Sequence, residues 1–309
     1  MTKLFDQKAI LAKIEDTYAT DASPVAANAI LATNGRWEPI AGSTVSRNLE
    51  QPYQGGQEEV RTNVHAILTF DVELAGAGAA GDVPAWGVLM RAAGFSETVT
   101  TETDVVYAPV SADHESCTLY FNVDGIDQKF LGSRGSVSIN APANDYMKAT
   151  FRILGRFAAP TDTAAPTVDY TAWIDPVVVN FANTSTFSIG AVTTLGLESY
   201  SLDMRTNVVA RDLPNSRDIK SVARDPGGSV TVEADTLATF NPIALARAGT
   251  KTTMALHHGT VAGNIIQITK PKIQLQAPTP GNRDNVMNWQ LPYKALPDAG
   301  NDEVIITVL

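Results

Sequence analysis

Alternation of apolar and polar residues dominates this chain. HAILTFDVEL (65–74), ESCTLYFNV (115–123), SVSINA (136–141), YMKATFRIL (146–154), SVTVEA (229–234) and EVIITVL (303–309) either alternate or are rich in Val, Ile, Thr and aromatic residues. Successive side chains of a strand point to opposite faces, so each segment predicts a strand with one buried face. Helical spacing is confined to VPAWGVLMRAAG (83–94), with Pro near its start and Gly at its end, and LATFNPIALARAG (237–249), which also ends in Gly. AKIEDTY (12–18) has the composition for one or two further helical turns, while the approach to Pro24 reads as an extended arm and AAPTDTAAP (158–166) as a linker.

The pattern also repeats. TLYFNVDGIDQKFLGSRGSVSINAPANDYMKATFRILGRF begins at Thr118 and TMALHHGTVAGNIIQITKPKIQLQAPTPGNRDNVMNWQLPYKAL at Thr253, and within them SVSINAP (136–142) and KIQLQAP (272–278) align without gaps. Asp124-Gly125 in the first copy is a hairpin-turn signal, with His258-Gly259-Thr260 in the equivalent place of the second. Upstream, STVSRNLEQPY (43–53) and EEVRTNVHAILTFDVEL (58–74) match ESYSLDMRTNV (198–208) and DIKSVARDPGGSVTVEA (218–234). The expected organisation is an N-terminal arm (1–30) followed by two copies (31–160 and 161–309) of one unit built as hairpin, short helix, hairpin.

Length and composition agree with this. At ~150 residues per domain, 309 residues suit two units. An apolar share of 44% excludes a disordered chain, and a net charge of -10 is opposite to the basic footprint that tight nucleic-acid binding needs. The single cysteine, Cys117, cannot form an internal disulfide, and no stretch has the length of a signal peptide's apolar core or of a membrane span, so assembly in a cytoplasm and no membrane partner are expected.

Motifs with chemical potential dissolve on inspection. Residues 76–81 read GAGAAG, a literal dinucleotide fingerprint, but the preceding strand alternates whereas the first strand of a doubly wound sheet is apolar throughout. Pro84 starts the helix beyond the third glycine, so its N-terminus would miss a pyrophosphate; a small-residue, flexible connection is the expected role. His257 and His258 are strand neighbours facing opposite ways, and His65 and His114 are isolated, which disfavours metal binding. Cys117 has no basic neighbour to lower its thiol pKa. Neither G-x-S-x-G nor a Ser/His/Asp set is present, so no enzyme, cofactor, catalytic residue or metal is expected. A carbohydrate-binding β module remains the alternative class, though no strand face gathers aromatic and acidic residues.

In combination, KIEDTYATDASPVAANAIL (13–31), TVSRNLEQPYQGG (44–56), FDVELAGAGAAGDVPAWGVLMRAAGFSETV (70–99) and VVYAPVS (105–111) resemble the tail tube proteins of long-tailed bacteriophages. The resemblance is strongest over residues 10–160. It implies a mostly β fold, a small sandwich or barrel with a flanking helix whose two long hairpins join those of neighbours into a closed tube. Family members with one unit form hexameric rings, so a chain with two implies a homotrimeric ring of pseudo-sixfold symmetry. It implies a structural role in the virion tail, rings stacking into a hollow tube that conducts DNA at ejection. Tape-measure, tail-terminator and distal tail proteins become the expected partners, and DNA only a transient, non-specific one. A tail-end or baseplate hub protein on the same fold is the alternative within the class.

In such a barrel the apolar set, Phe70, Val72, Leu74, Val137, Ile139, Met147, Ala149 and Phe151, points to the core. Their neighbours Thr69, Asp71, Glu73, Ser136, Ser138, Asn140, Lys148, Thr150 and Arg152 then line the lumen, and by the repeat so do Ser201, Asp203, Thr231, Glu233, Gln274, Gln276, Asn288 and Gln290. An acidic polar wall that repels phosphate is the expectation. The segment from Lys3 to Leu31, with Phe5, Ile10, Leu11, Ile14, Tyr18 and Val25, is expected to order against the next ring, with the loop 51–57 as a second contact.

Overall fold

The computed structural model describes residues 2–309, and its architecture is mostly β. The first half holds β1 (Lys8–Ile14), β2 (Ala29–Ile30), β3 (Thr33–Ser46), β4 (Glu59–Glu73), β5 (Phe95–Thr100), β6 (Asp104–Pro109), β7 (Cys117–Val123), β8 (Ile126–Pro142), β9 (Lys148–Phe157) and β10 (Thr161–Asp162). The second holds β11 (Thr186–Ile189), β12 (Leu197–Asp203), β13 (Asn207–Leu213), β14 (Ser216–Ala223), β15 (Gly227–Glu233), β16 (Lys251–His258), β17 (Ile266–Leu275), β18 (Thr279–Arg283), β19 (Val286–Leu296) and β20 (Ile305–Val308). Helix α1 (Gly87–Ala92) follows β4, and α2 (Pro242–Ala248) follows β15. Each predicted strand segment overlaps one of these strands, and the two predicted helical segments contain α1 and α2.

One antiparallel run of strands organises the molecule: β3–β4–β9–β8–β12–β15–β19–β18. Each half contributes four neighbouring strands, joined where Ser138 to Pro142 of β8 pair with Asp203 to Ser199 of β12. Behind it lie β2–β1–β7, reached through the first part of β8, and β11–β16–β17–β20–β6–β5, in which the last strand bridges β17 to β6. Phe70, Phe151, Val137, Leu202, Val230 and Leu291 from the front sheet are almost completely buried between the layers, each worth roughly 1.5–3 kcal/mol of apolar burial. Ile10 and Val308 belong to the same contiguous cluster, which spans both halves.

Local signals explain the connections. Asp124 and Gly125 take φ 44° and 85°, the left-handed pair that a tight hairpin turn demands, and Asp284-Asn285 (52° and 64°) closes β18 onto β19 in the same way. Asn241 caps α2, its side chain accepting the Ala244 N–H at 2.9 Å, with Pro242 in the first turn and Gly249 left-handed at the end.

Four expectations change. AKIEDTY is not helical: its start completes β1, which pairs along its length with β7 and buries Ile10, Leu11 and Ala12 in the chain's own core. The apolar spacing that suggested an arm is a strand period. The 158–166 segment is no free linker, because Thr161 and Asp162 pair with β8, and the chain beyond is tied back where Trp173 Nε1 donates to Ala29 O at 2.9 Å. The gapless match of SVSINAP with KIQLQAP is out of step with the ladders by four residues: Ser136 stands opposite Arg152, but it is Gln276 whose N–H donates to Pro292 O. Between Gln276 and Thr279 the ladder with β19 takes up one further residue, so Gly281 stands opposite Asn288. The glycine-rich 76–81 segment is not a flexible connection, since Gly78 N–H donates to Gly263 O at 2.9 Å and a Cβ on Gly76 would meet that oxygen at 2.0 Å. Its glycines permit two backbones to cross.

Candidate assembly surface

Cross-strand register gathers the polar residues singled out in the sequence onto the outer face of the front sheet. Glu73 stands opposite Lys148, Lys148 opposite Asn140, and Asn140 opposite Ser201. The next rows run Asp71, Thr150, Ser138, Asp203 and then Thr69, Arg152, Ser136. In the second half Thr231 faces Gln290, Glu233 faces Asn288 and Gln274 faces Lys294, with Gln276 just beyond the end of β17. Directly opposed residues share a face, so the set forms one continuous polar surface on the reverse of the core. Asn288 alone among them is almost covered, at 7% exposure, its Nδ2 donating to Glu198 Oε2.

Short polar contacts tie neighbouring strands together across this surface. Asp71 accepts from Thr150 Oγ1 at 2.6 Å and from Asn34 Nδ2 at 2.8 Å. Ser201 Oγ donates to Ser229 O and accepts its N–H, both at 3.0 Å. Charges of both signs stand on this face. Register brings Arg36 and Glu38, opposite Thr69 and Ile67, and Lys294 onto it, so Arg36, Lys148, Arg152 and Lys294 stand among Glu38, Asp71, Glu73, Asp203 and Glu233. The face is polar and mixed in sign.

One end of the face is apolar and covered. Ile67 and Leu154 lie on it, and Ile219 of the β13–β14 ribbon buries against them with Val208 and Ala210. Polar contacts fasten the ribbon: Arg134 donates to Ile219 O at 2.8 Å, Arg217 to Val64 O at 2.6 Å, and Asn63 Nδ2 to Ala210 O at 2.9 Å. Reasoning from alternation missed this patch, although the doublets Ile67-Leu68 and Ile153-Leu154 break the polar–apolar rhythm where the ribbon lands. At the lateral limits, among the described residues, β3 pairs only with β4 and β18 only with β19, leaving two free edges.

The remaining candidates are structural. His257 Nδ1 contacts Ser185 Oγ at 2.6 Å, while buried His258 is bracketed by Thr184 Oγ1 and Val177 O, and burial lowers its pKa. Cys117 is fully enclosed, and burial pushes its thiol pKa up. Among the described residues no group of His, Cys, Asp or Glu is placed to hold a metal ion, and no helix is long and apolar enough to cross a membrane.

A family model for phage tail tube proteins matches residues 6–305. The chain belongs to the phage tail tube protein family. No curated protein matches it. The family assigns a structural role in the virion tail, self-assembly into a tube and contact with other tail components. A sheet with two unpaired edges is an aggregation hazard in an isolated chain.

Proposed function

We propose that three copies close edge to edge into a pseudo-sixfold ring, that rings stack into the hollow tail tube, and that the polar sheet face lines the channel through which phage DNA passes. The observation that carries this is the eight-strand antiparallel run, four strands from each half, ending in the free edges of β3 and β18. Two different edges on one chain make a head-to-tail contact, which forms a ring when its rotation closes. Three copies give about 24 strands, and at ~4.8 Å between strands the barrel is roughly 37 Å across untilted and nearer 50 Å with steep tilt, wide enough for duplex DNA. The two halves act as copies of one unit, 31–160 and 161–309, with residues 1–30 as an arm whose first part completes the first unit and whose exposed tip reaches the next ring.

On this reading Thr69, Asp71, Glu73, Ser136, Ser138, Asn140, Lys148, Thr150, Arg152, Ser201, Asp203, Thr231, Glu233, Gln274, Gln276 and Gln290 face the lumen, with Asn288 beneath them. A wall of short hydroxyls and amides with interspersed charges of both signs offers no sustained cationic track on which phosphates could lodge. The role is mechanical and not catalytic. Assembly in the host cytoplasm, with tape-measure, tail-terminator and distal tail proteins as partners, completes the reading. Electron microscopy of concentrated protein and of virions tests it: threefold disks stacked as a hollow tube are expected. A stable monomer at every concentration, rings of six chains, or only a few copies per virion would overturn it.

A further inference from the structure

We propose that the contact between neighbouring chains repeats, residue for residue, the joint between the two halves: β18 of one copy pairs antiparallel with β3 of the next, Thr279 opposite Glu38, Pro280 opposite Trp37 and Gly281 opposite Arg36. The inference rests on the ring reading above and gives its interface a register.

The register follows from ladders within one chain. In the first half Glu73 pairs with Lys148 and Lys148 with Asn140; in the second Glu233 pairs with Asn288 and Asn288 with Gly281. Asn140 therefore corresponds to Gly281, and by the adjacent pairs Ser138, opposite Thr150, corresponds to Thr279, opposite Gln290. On the other side Ile67 pairs with Glu38 and Thr69 with Arg36, as Gly227 pairs with Asp203 and Ser229 with Ser201. Glu38 thus corresponds to Asp203 and Arg36 to Ser201. The joint pairs Ser138 with Asp203 and Asn140 with Ser201, and transfer of those pairs to the two free edges gives the stated partners. All five residues of β18 are exposed, and no strand of the same chain covers the outer edge of β3.

A second feature fits the same operation. Val45 and Val60 form a cross-strand pair near the tip of the β3–β4 hairpin and are 55% and 64% exposed, an unusual position for two valines. In the β13–β14 ribbon, whose residues 218–223 the repeat sets against 58–63, Ala210 and Ile219 also form a cross-strand pair, and there Ile219 is buried against Ile67 and Leu154. Ile67 and Leu154 correspond to Gly227 and Lys294, so the hairpin tip of the copy that offers β3 lies over that part of the second half of the copy that offers β18. Gly227 leaves room there, and Lys294 offers its aliphatic stem while Asp225 holds its ammonium at 3.1 Å.

Paired cysteines in the full-length chain test the register. Directly opposed residues in an antiparallel ladder lie within disulfide reach, whereas a two-residue offset is beyond it. Glu38→Cys with Thr279→Cys should give trimer-sized bands on a non-reducing gel after oxidation of assembled protein, at several-fold higher yield than Glu38→Cys with Gly281→Cys. Equal or greater yield from the offset pair overturns the register. Tubes by electron microscopy with cross-links in neither pair overturn the edge pairing while the ring reading stands; unmodified protein that never forms rings fails the ring reading itself. Should the variants not fold, hydrogen exchange on the unmodified chain decides: amides of residues 33–38 and 279–283 should slow by at least tenfold between dissociated and assembled protein, and no slowing overturns the proposal.

Discussion

The main-chain N–H of Ile219 donates to the phenolic oxygen of Tyr18 at 2.6 Å, joining the ribbon of the second half to the segment that follows the first strand. Arg134 takes the carbonyl of the same residue and lies over the Tyr18 ring, 5.0 Å from its centroid. Ile219 is thus held from both sides of its peptide unit. Tyr18→Phe keeps the ring but leaves a buried N–H without a partner, a loss of about 1–2 kcal/mol. The expected result is faster amide exchange across residues 207–223, with the front sheet unchanged. Uniform destabilisation of the whole chain would show that the ribbon is not a separable unit.

Glu15 is a second fastening of the same region. Its carboxylate, 8% exposed, accepts from Ser116 Oγ at 2.6 Å, Thr118 Oγ1 at 2.9 Å, Ala19 N at 2.8 Å and Gly132 N at 2.8 Å. Four donors converge on two oxygens with no cation among them. Glu15→Gln turns one acceptor into a donor facing donors and should lower stability by roughly 1–3 kcal/mol, read as a fall in Tm of several degrees. An unchanged Tm would mean the site relaxes around the amide.

Lys270 is fully buried with no carboxylate beside it. Its Nζ donates to the Tyr200 hydroxyl and lies 4.4 Å from the Tyr200 ring centroid and 5.2 Å from that of Tyr293, whose own hydroxyl donates to Ser201 O. Burial pushes the ammonium down to about 7 from an ordinary 10.5. The unfolded chain therefore binds this proton more tightly than the folded one. The cost of burial is complete and constant below about pH 7 and fades as pH rises toward 10.5. Denaturant melts should show stability climbing across that window by up to roughly 5 kcal/mol. Lys270→Met should raise stability at neutral pH and remove the climb; a flat profile in the unmodified chain would show that the amine stays charged.

Much of the fold was legible because the physics is local. The strand period marked β4, β7, β8, β9, β15 and β20, and Asp124-Gly125 announced its own turn. What escaped was set by partners distant in the chain. Residues 12–14 suit a helix as well as a strand, and only pairing with Cys117 to Leu119 decides for the strand. The residues of the polar face were readable from alternation, but its charge was not, since Arg36 reaches the face through a register irregularity between Thr33 and Arg36 that no sequence period reveals. The glycines at 76 and 78 read as a flexible connection, because nothing local tells that residues 263–264 cross them.

With Ile10 and Leu11 committed to the core, the part of the N-terminus left for a neighbour is short. Leu4 and Phe5 are 56% and 65% exposed, and Lys8 Nζ rests 3.7 Å from the Phe5 ring centroid. Removing residues 1–6 should leave the fold and its Tm intact while reducing the length or yield of tubes. Deletion into residues 8–14 should instead unfold the chain. Full-length tubes from the shorter deletion would assign stacking to another surface.

The mixed sign of the polar face gives the sharpest test of its role. Glu38, Asp71, Glu73, Asp203 and Glu233 stand there among Arg36, Lys148, Arg152 and Lys294, so Glu73→Lys with Glu233→Lys would tip the face to cationic. Both side chains lie on the reverse of the core and Glu233 is exposed, so folding and ring closure should survive. If the face lines the channel, six added lysines per trimeric ring, repeated along the tube, would form the cationic track the native wall lacks. Duplex DNA would then lodge in transit, most strongly at low ionic strength, where phosphate contacts are least screened. Virions carrying both changes should assemble normal tails yet release their genomes slowly or incompletely in dilute buffer, with recovery as salt is raised. Normal ejection at every salt concentration, from tails of normal length, would place this face away from the DNA.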